Sequence, residues 1–139
     1  MWSRVLSWLV RHEAILVILA GVVLLRLPSL FEPYWYGDEG VYLTVGQAIS
    51  RGANLYKDIH DNKPPLLYLV AAVAGTQFWF RFIALGWSLA TVALFGKLAK
   101  KWWGGGDEAR WTTVVFAVLI SLPFLEGNIA NAELFFLLP

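Results

Sequence analysis

The chain has no cysteine, one methionine and two histidines in 139 residues. Without cysteine there is no disulfide, no thiolate nucleophile and no Cys-ligated metal. Charge is scarce as well: 15% of the residues are charged against 58% hydrophobic, and the net charge is +1. So small a basic excess is not the footprint of a nucleic-acid-binding protein, and a soluble domain of this length would carry more polar cover. In its place stand long apolar runs. A helix rises about 1.5 Å per residue, so roughly 20 apolar residues cross the ~30 Å hydrocarbon layer. The sequence therefore reads as one all-α unit over residues 1–139, a polytopic membrane helix bundle with an external loop carrying interfacial helices.

The first run, about Ala14 to Leu30, is longer than the core of a cleaved signal peptide and leads into RLPSLFEPYWY without a small-residue cleavage site. It predicts an uncleaved span at about 14–30. Further spans are expected at about 78–96 and 111–125, and LFFLLP has the look of another beginning. The run from Pro64 to Gly75 is too short to cross. It is expected to be an interfacial or half-inserted helix with prolines in its first turn, the alternative being a span made by fusion with GTQFW. Basic residues favour the first topology, because loops left on the cytoplasmic side are enriched in Lys and Arg. It puts Arg4, Arg11, Lys97, Lys100, Lys101 and Arg110 inside and only Arg51, Lys57 and Lys63 outside. The expected location is the cell's inner membrane, with a cytoplasmic N-terminus and an external, periplasmic loop at about 31–77. In that loop GVYLTVGQAIS sets Val41, Val45 and Ala48/Ile49 on one helical face, with Gly52 at the C-terminal end, which predicts a surface helix. Tyr34, Trp35 and Tyr36 suit an aromatic belt at headgroup level.

The acids Glu32, Asp38, Glu39, Asp58 and Asp61 then gather at the outer water boundary. A transporter would place ionisable groups halfway along its spans instead. Acids at the boundary suit a reaction on a substrate whose tail lies in lipid and whose head lies in water, such as a sugar carried on a polyprenyl phosphate. Transfer from that donor needs a carboxylate to take a proton from the acceptor hydroxyl and cations near the leaving phosphate.

The order YWYGDEGVYLTVGQAISRGANLYKDIHDNKPPLLYL, residues 34–69, resembles the first external loop of membrane glycosyltransferases of the dolichyl-phosphate-mannose protein mannosyltransferase and aminoarabinose transferase type, the GT-C architecture. The residues that carry the resemblance are Asp38 and Glu39, Tyr56 and Asp58, and Pro64, Pro65, Leu66 and Tyr68, while ANAE at 130–133 is similar to the second external loop. The resemblance implies inverting transfer of a sugar from a polyprenyl-phosphate donor, with Asp38 as catalytic base beside Glu39. Family members are much longer chains with many more spans, so the sequence is expected to be an N-terminal fragment, and inactive by itself. Tyr56, Asp58, His60, Asp61, Lys63, Arg81 and Glu133 are the candidate substrate contacts. Some relatives bind a divalent ion near this loop, which makes such an ion a candidate cofactor; Glu133, Asp61 and His60 supply ligands only if the fold joins the two external loops. The sugar and the acceptor are not legible.

Plainer readings stand beside these. Asp38 and Glu39 precede a helix and suit its N-terminus without any chemistry, and Asp58 and Asp61 suit a solvated loop. Arg26 and Arg81 fit side chains snorkelling to the interface, although one of them, or Lys63, would also serve a donor phosphate. Phe78, Trp79, Phe80 and Trp87 fit lipid or helix contacts. Lys97, Lys100 and Lys101 with Trp102 and Trp103 fit an inner-surface anchor. A small membrane scaffold or assembly subunit with no chemistry of its own is the alternative function.

Overall fold

The computed structural model describes residues 2–33 and 36–137, with side chains described from Glu13 onward. The aromatic-belt expectation for Tyr34 and Trp35, and the side chains of Arg4 and Arg11, lie outside the described residues. The protein is all-α, 73% helix, with no strand among the described residues. Its helices are α1 (Trp2–Arg26), α2 (Gly37–Ser50), α3 (Pro65–Ala74), α4 (Gln77–Trp103), α5 (Asp107–Leu119) and the single turn α6 (Ala132–Phe136). Short 3-10 turns at Pro28–Phe31 and Pro123–Leu125 follow α1 and α5.

Two segments, Glu13–Phe31 and Gln77–Trp103, are long and apolar enough to cross a membrane. The ends of α4 are well specified. The Thr76 hydroxyl accepts the Trp79 amide at its start, Gly104 is left-handed at its end, and Lys100 and Lys101 complement the negative end of the helix dipole. The expected third span at 111–125 is not one helix. α5 has 13 residues, about 20 Å, and stops at Leu119; Pro123 then starts a separate turn, since a proline cannot continue the backbone ladder.

α3 is a separate ten-residue helix, and fusion with GTQFW does not occur. Gly75, at φ 67°, caps α3 in the left-handed region and ends it one residue before Thr76 opens α4. The expected helix over GVYLTVGQAIS is α2, and Gly52 is left-handed just beyond it. Its buried face differs from the expected one: Val41 is 46% exposed, while Glu39, Tyr42, Leu43 and Gly46, spaced i, i+3, i+4, i+7, turn inward together with Val45. Gly46 explains the difference. A Cβ there would lie 2.6 Å from the Ala72 nitrogen and 2.8 Å from the Ala71 carbonyl carbon, so α2 rests with its backbone against α3 at this point.

Two apolar cores result. One joins α2 and α3 to the first half of α4 and to residues 130–135, around Tyr42, Leu67, Tyr68, Phe80 and Phe135. The other joins α1, α4 and α5 around Val22, Leu85, Val92 and Ala117. α4 belongs to both, so it carries the α2–α3 pair at its N-terminal end and forms a hairpin with α5 at the other.

Candidate functional site

At the end of the bundle where α1 finishes and α4 begins, the segment that follows α5 folds back onto α2. Arg26 makes this turn possible. Its side chain is 1% exposed, and NH1 donates to the carbonyl oxygens of Ile120 and Gly127. Those carbonyls lie where α5 has run out and have no helical partner of their own. Gly127 fits because a Cβ there would sit 2.4 Å from the Ile120 oxygen.

The second tie is ionic. Arg81 Nε donates to both Glu39 oxygens at 3.0 and 3.1 Å, and its NH2 donates to Oε2 at 2.6 Å. Its NH1 is used by the carbonyls of Ser29 and Glu32. Glu39 Oε1 also accepts the Ala130 amide at 2.7 Å, and Oε2 lies 3.5 Å from Gln77 Nε2. Both side chains are shut off from solvent, at 1% and 0% exposure. A charge this deep persists only with a close partner and satisfied hydrogen bonds. The expectation of snorkelling gives way here: Arg26 and Arg81 both turn inward and are consumed. Glu39 and Arg81, candidates for base and phosphate contact, are closed to any substrate in this structure.

Asp38 is different. It occupies the first turn of α2, exposed, beside the buried Glu39. No side chain caps the start of α2, so Asp38 does not spend its carboxylate there. Its Oδ2 accepts the Tyr42 hydroxyl, one turn along, at 3.2 Å. Tyr42 is itself 1% exposed and packs edge-on against Tyr68, with ring centroids 6.1 Å apart. Burial raises the Tyr42 phenol well above its ordinary range, and the charges of Asp38 and Glu133 add to the effect. The hydroxyl thus stays protonated and remains a donor.

Glu126 and Glu133 complete the acidic surface. The Tyr36 hydroxyl donates to Glu126 Oε2 at 3.1 Å. Burial first, then that bond, then the charges of Asp38, Glu126 and Glu133 push the Tyr36 phenol up to about 12. Asp38 and Glu133 thus act on both tyrosines, and Glu126 on Tyr36. Lys63 Nζ reaches Glu133 Oε1 at 3.4 Å, a partly exposed pair. Asn128 Nδ2 donates to Glu32 Oε2 at 3.2 Å, again joining the segment before α2 to the one after α5.

Tyr56, Asp58, His60 and Asp61 lie on the α2–α3 connection. Tyr56, left-handed at φ 66°, donates its hydroxyl to the Lys63 carbonyl and sets its ring 5.9 Å from that of His60. The Lys63 amide in turn donates to the Tyr68 hydroxyl at 3.0 Å. Asp58 is spent locally, its Oδ2 accepting the Asn54 amide and the Asn54 side chain at 2.8 Å each. These two bonds lower the Asp58 pKa, against a small opposing effect of burial. Asp61 Oδ1 accepts the Asn62 amide at 2.7 Å.

The fold therefore joins the segment before and through α3 to the segment after α5, bringing Asp38 and Glu133 near Tyr42, and Lys63 to Glu133. It does not gather Glu133, Asp61 and His60: among the described residues no three His, Asp or Glu side chains are grouped to hold a metal ion. Glu126 was not anticipated, although an acid just after Pro123 lies at the same end of the bundle as Asp38 once α5 is recognised as a crossing partner of α4. Comparison of the chain with family models, curated proteins and solved structures finds no match.

Proposed function

We propose that this chain forms the acid-bearing face of a membrane glycosyltransferase that moves a sugar from a polyprenyl-phosphate donor to an acceptor hydroxyl at the outer membrane face. The observation that carries the reading is the division of labour within one dipeptide. Glu39 is locked in the interior by Arg81, and Asp38 is left exposed with its carboxylate held by a buried tyrosine. The resemblance of residues 34–69 to the first external loop of GT-C enzymes supports the same assignment.

In this reading Asp38 accepts the proton of the acceptor hydroxyl as that oxygen bonds to the anomeric carbon. The bond from the anomeric carbon to the phosphate oxygen breaks, and its electron pair leaves with the polyprenyl phosphate. That phosphate is already a stable anion, so no acid need protonate it. Lys63, paired with Glu133 and partly exposed, is the cation this reading assigns to the leaving phosphate. Glu39 and Arg81 act as positioning residues that fix α2 against α4 and the 128–131 segment. The two long apolar helices hold this face at the bilayer surface, with the N-terminus cytoplasmic and Asp38 external.

The test is Asp38→Asn in the complete enzyme, assayed in membranes with a radiolabelled polyprenyl-phosphate sugar. Loss of transfer with unchanged membrane insertion is expected. Full transfer by the variant would leave the acids a purely structural role, as in a scaffold subunit.

A further inference from the structure

A cavity lies at the opposite end of the helices, near the α4–α5 turn, and the reaction proposed above does not use it. Its volume is about 500 Å³, within the roughly 300–1,000 Å³ range of small-molecule sites. Three helices wall it. α4 contributes Ala93, Gly96, Lys97 and Lys100, spaced i, i+3, i+4, i+7 and hence a single stripe. Gly96 and Ala109 keep the walls thin: a Cβ on Gly96 would already touch the Ile15 Cδ1 at 3.2 Å and the Thr113 Cγ2 at 3.4 Å.

The lining changes character along the helix axis. Ile15, Ile18, Leu19 and Ala93 make an apolar interior, and Lys97, Lys100 and Arg110 stand toward the turn. From Ala93 to Lys100 the rise is about 10 Å. One carboxylate, Glu13, shares the lining, and Arg110 also bonds Asp107 at 3.0 Å. Neither Lys97 nor Lys100 has an ion-pair partner among the described residues.

A topological anchor needs only that basic residues be present on one side of the membrane. It does not need two of them to line a cavity that turns apolar within two helical turns. We infer that this cavity binds an anionic phospholipid, its phosphate against Lys97 and Lys100 and the start of an acyl chain along Ile15, Ile18, Leu19 and Ala93. A polar head with an apolar tail matches both the sign and the order of the lining, whereas a free anion leaves the apolar interior unfilled.

The test counts bound lipid by native mass spectrometry on the full chain taken from vesicles of phosphatidylcholine mixed with phosphatidylglycerol. Selective retention of phosphatidylglycerol is expected. Each basic residue near an anionic headgroup is worth on the order of a fivefold change in binding, so Lys97→Gln with Lys100→Gln should weaken retention about thirtyfold. Lys101→Gln, on the same helix end but outside the lining, should leave it nearly unchanged. Ala93→Leu, which alters no charge but narrows the apolar part of the cavity, should also weaken selective retention. Equal loss with Lys101→Gln, indifference to Ala93→Leu, or full displacement of the lipid by inorganic phosphate would each overturn the proposal.

Discussion

Glu39 and Arg81, 42 residues apart, meet through three hydrogen bonds in a pair closed to solvent, and the Ala130 amide completes the Glu39 side of it. Three segments distant in sequence converge on this one carboxylate. Removing either partner leaves the other charged and buried. Glu39→Gln or Arg81→Met should each cost about 3–5 kcal/mol. The double variant should cost less than the sum of the two by about 0.5–3 kcal/mol. Thermal unfolding in detergent of all four proteins reads this coupling, and strict additivity would refute it.

Tyr42→Phe keeps the packing against Tyr68 and deletes the hydroxyl that orients Asp38. One hydrogen bond to a charged group is worth about 1.5–3 kcal/mol, so under the proposed function kcat for transfer by the complete enzyme should fall roughly 10- to 150-fold. KM should hardly change, because the ring is 1% exposed. A KM effect with kcat intact would mean Tyr42 shapes binding instead of orienting the base.

Two glycines in α2 should respond with opposite signs. At Gly40 a Cβ meets nothing within 4 Å, so Gly40→Ala should stabilise by up to about 1 kcal/mol through helix propensity alone. At Gly46 the same added atom strikes the α3 backbone, and Gly46→Ala should cost about 1–3 kcal/mol. Unfolding midpoints that move in the same direction would show that α2 and α3 do not meet at Gly46.

The turn at Asn54–Asp58 should depend on pH in one direction only. The Asn54 amide and side chain hold the Asp58 carboxyl below its ordinary range. Its stabilisation is then complete above the unfolded value near about 3.9 and is lost as the pH falls through the lower folded value. The protection of the Asn54 amide, its exchange relative to an unstructured peptide at the same pH, should hold at pH 5 and above, roughly one unit clear of that value, and be lost only in stronger acid. Asp58→Ala should show no such protection at any pH.

Local signals were legible in the sequence. The length of the Pro64–Gly75 run favoured a separate short helix over a span fused with GTQFW, as α3 is, and Gly52 marked a helix end where the chain indeed turns left-handed. Partnerships across the chain were not. Nothing near Glu39 names Arg81, and the pair at 38 and 39 looks equivalent until tertiary packing buries one and exposes the other. The α2 face was misjudged because apolar spacing pointed to Val41, whereas the decisive residue was Gly46, which has no side chain to count. The end of α5 was announced by Pro123, but apolar residues on both sides of it made a single span look continuous.

Only Gly75 and Thr76 separate α3 from α4, and a joint so short cannot let the two helices lean independently. At Gly46 α2 meets the backbone of α3, so these two short helices form one plate joined to the start of the long α4 rod. In the proposed placement of α4 across a bilayer, a hydrocarbon layer thinner or thicker than suits that rod would change its tilt. The plate would then tip with it, raising or lowering Asp38 against the headgroups, and on that reading the reach of this carboxylate becomes a function of lipid chain length.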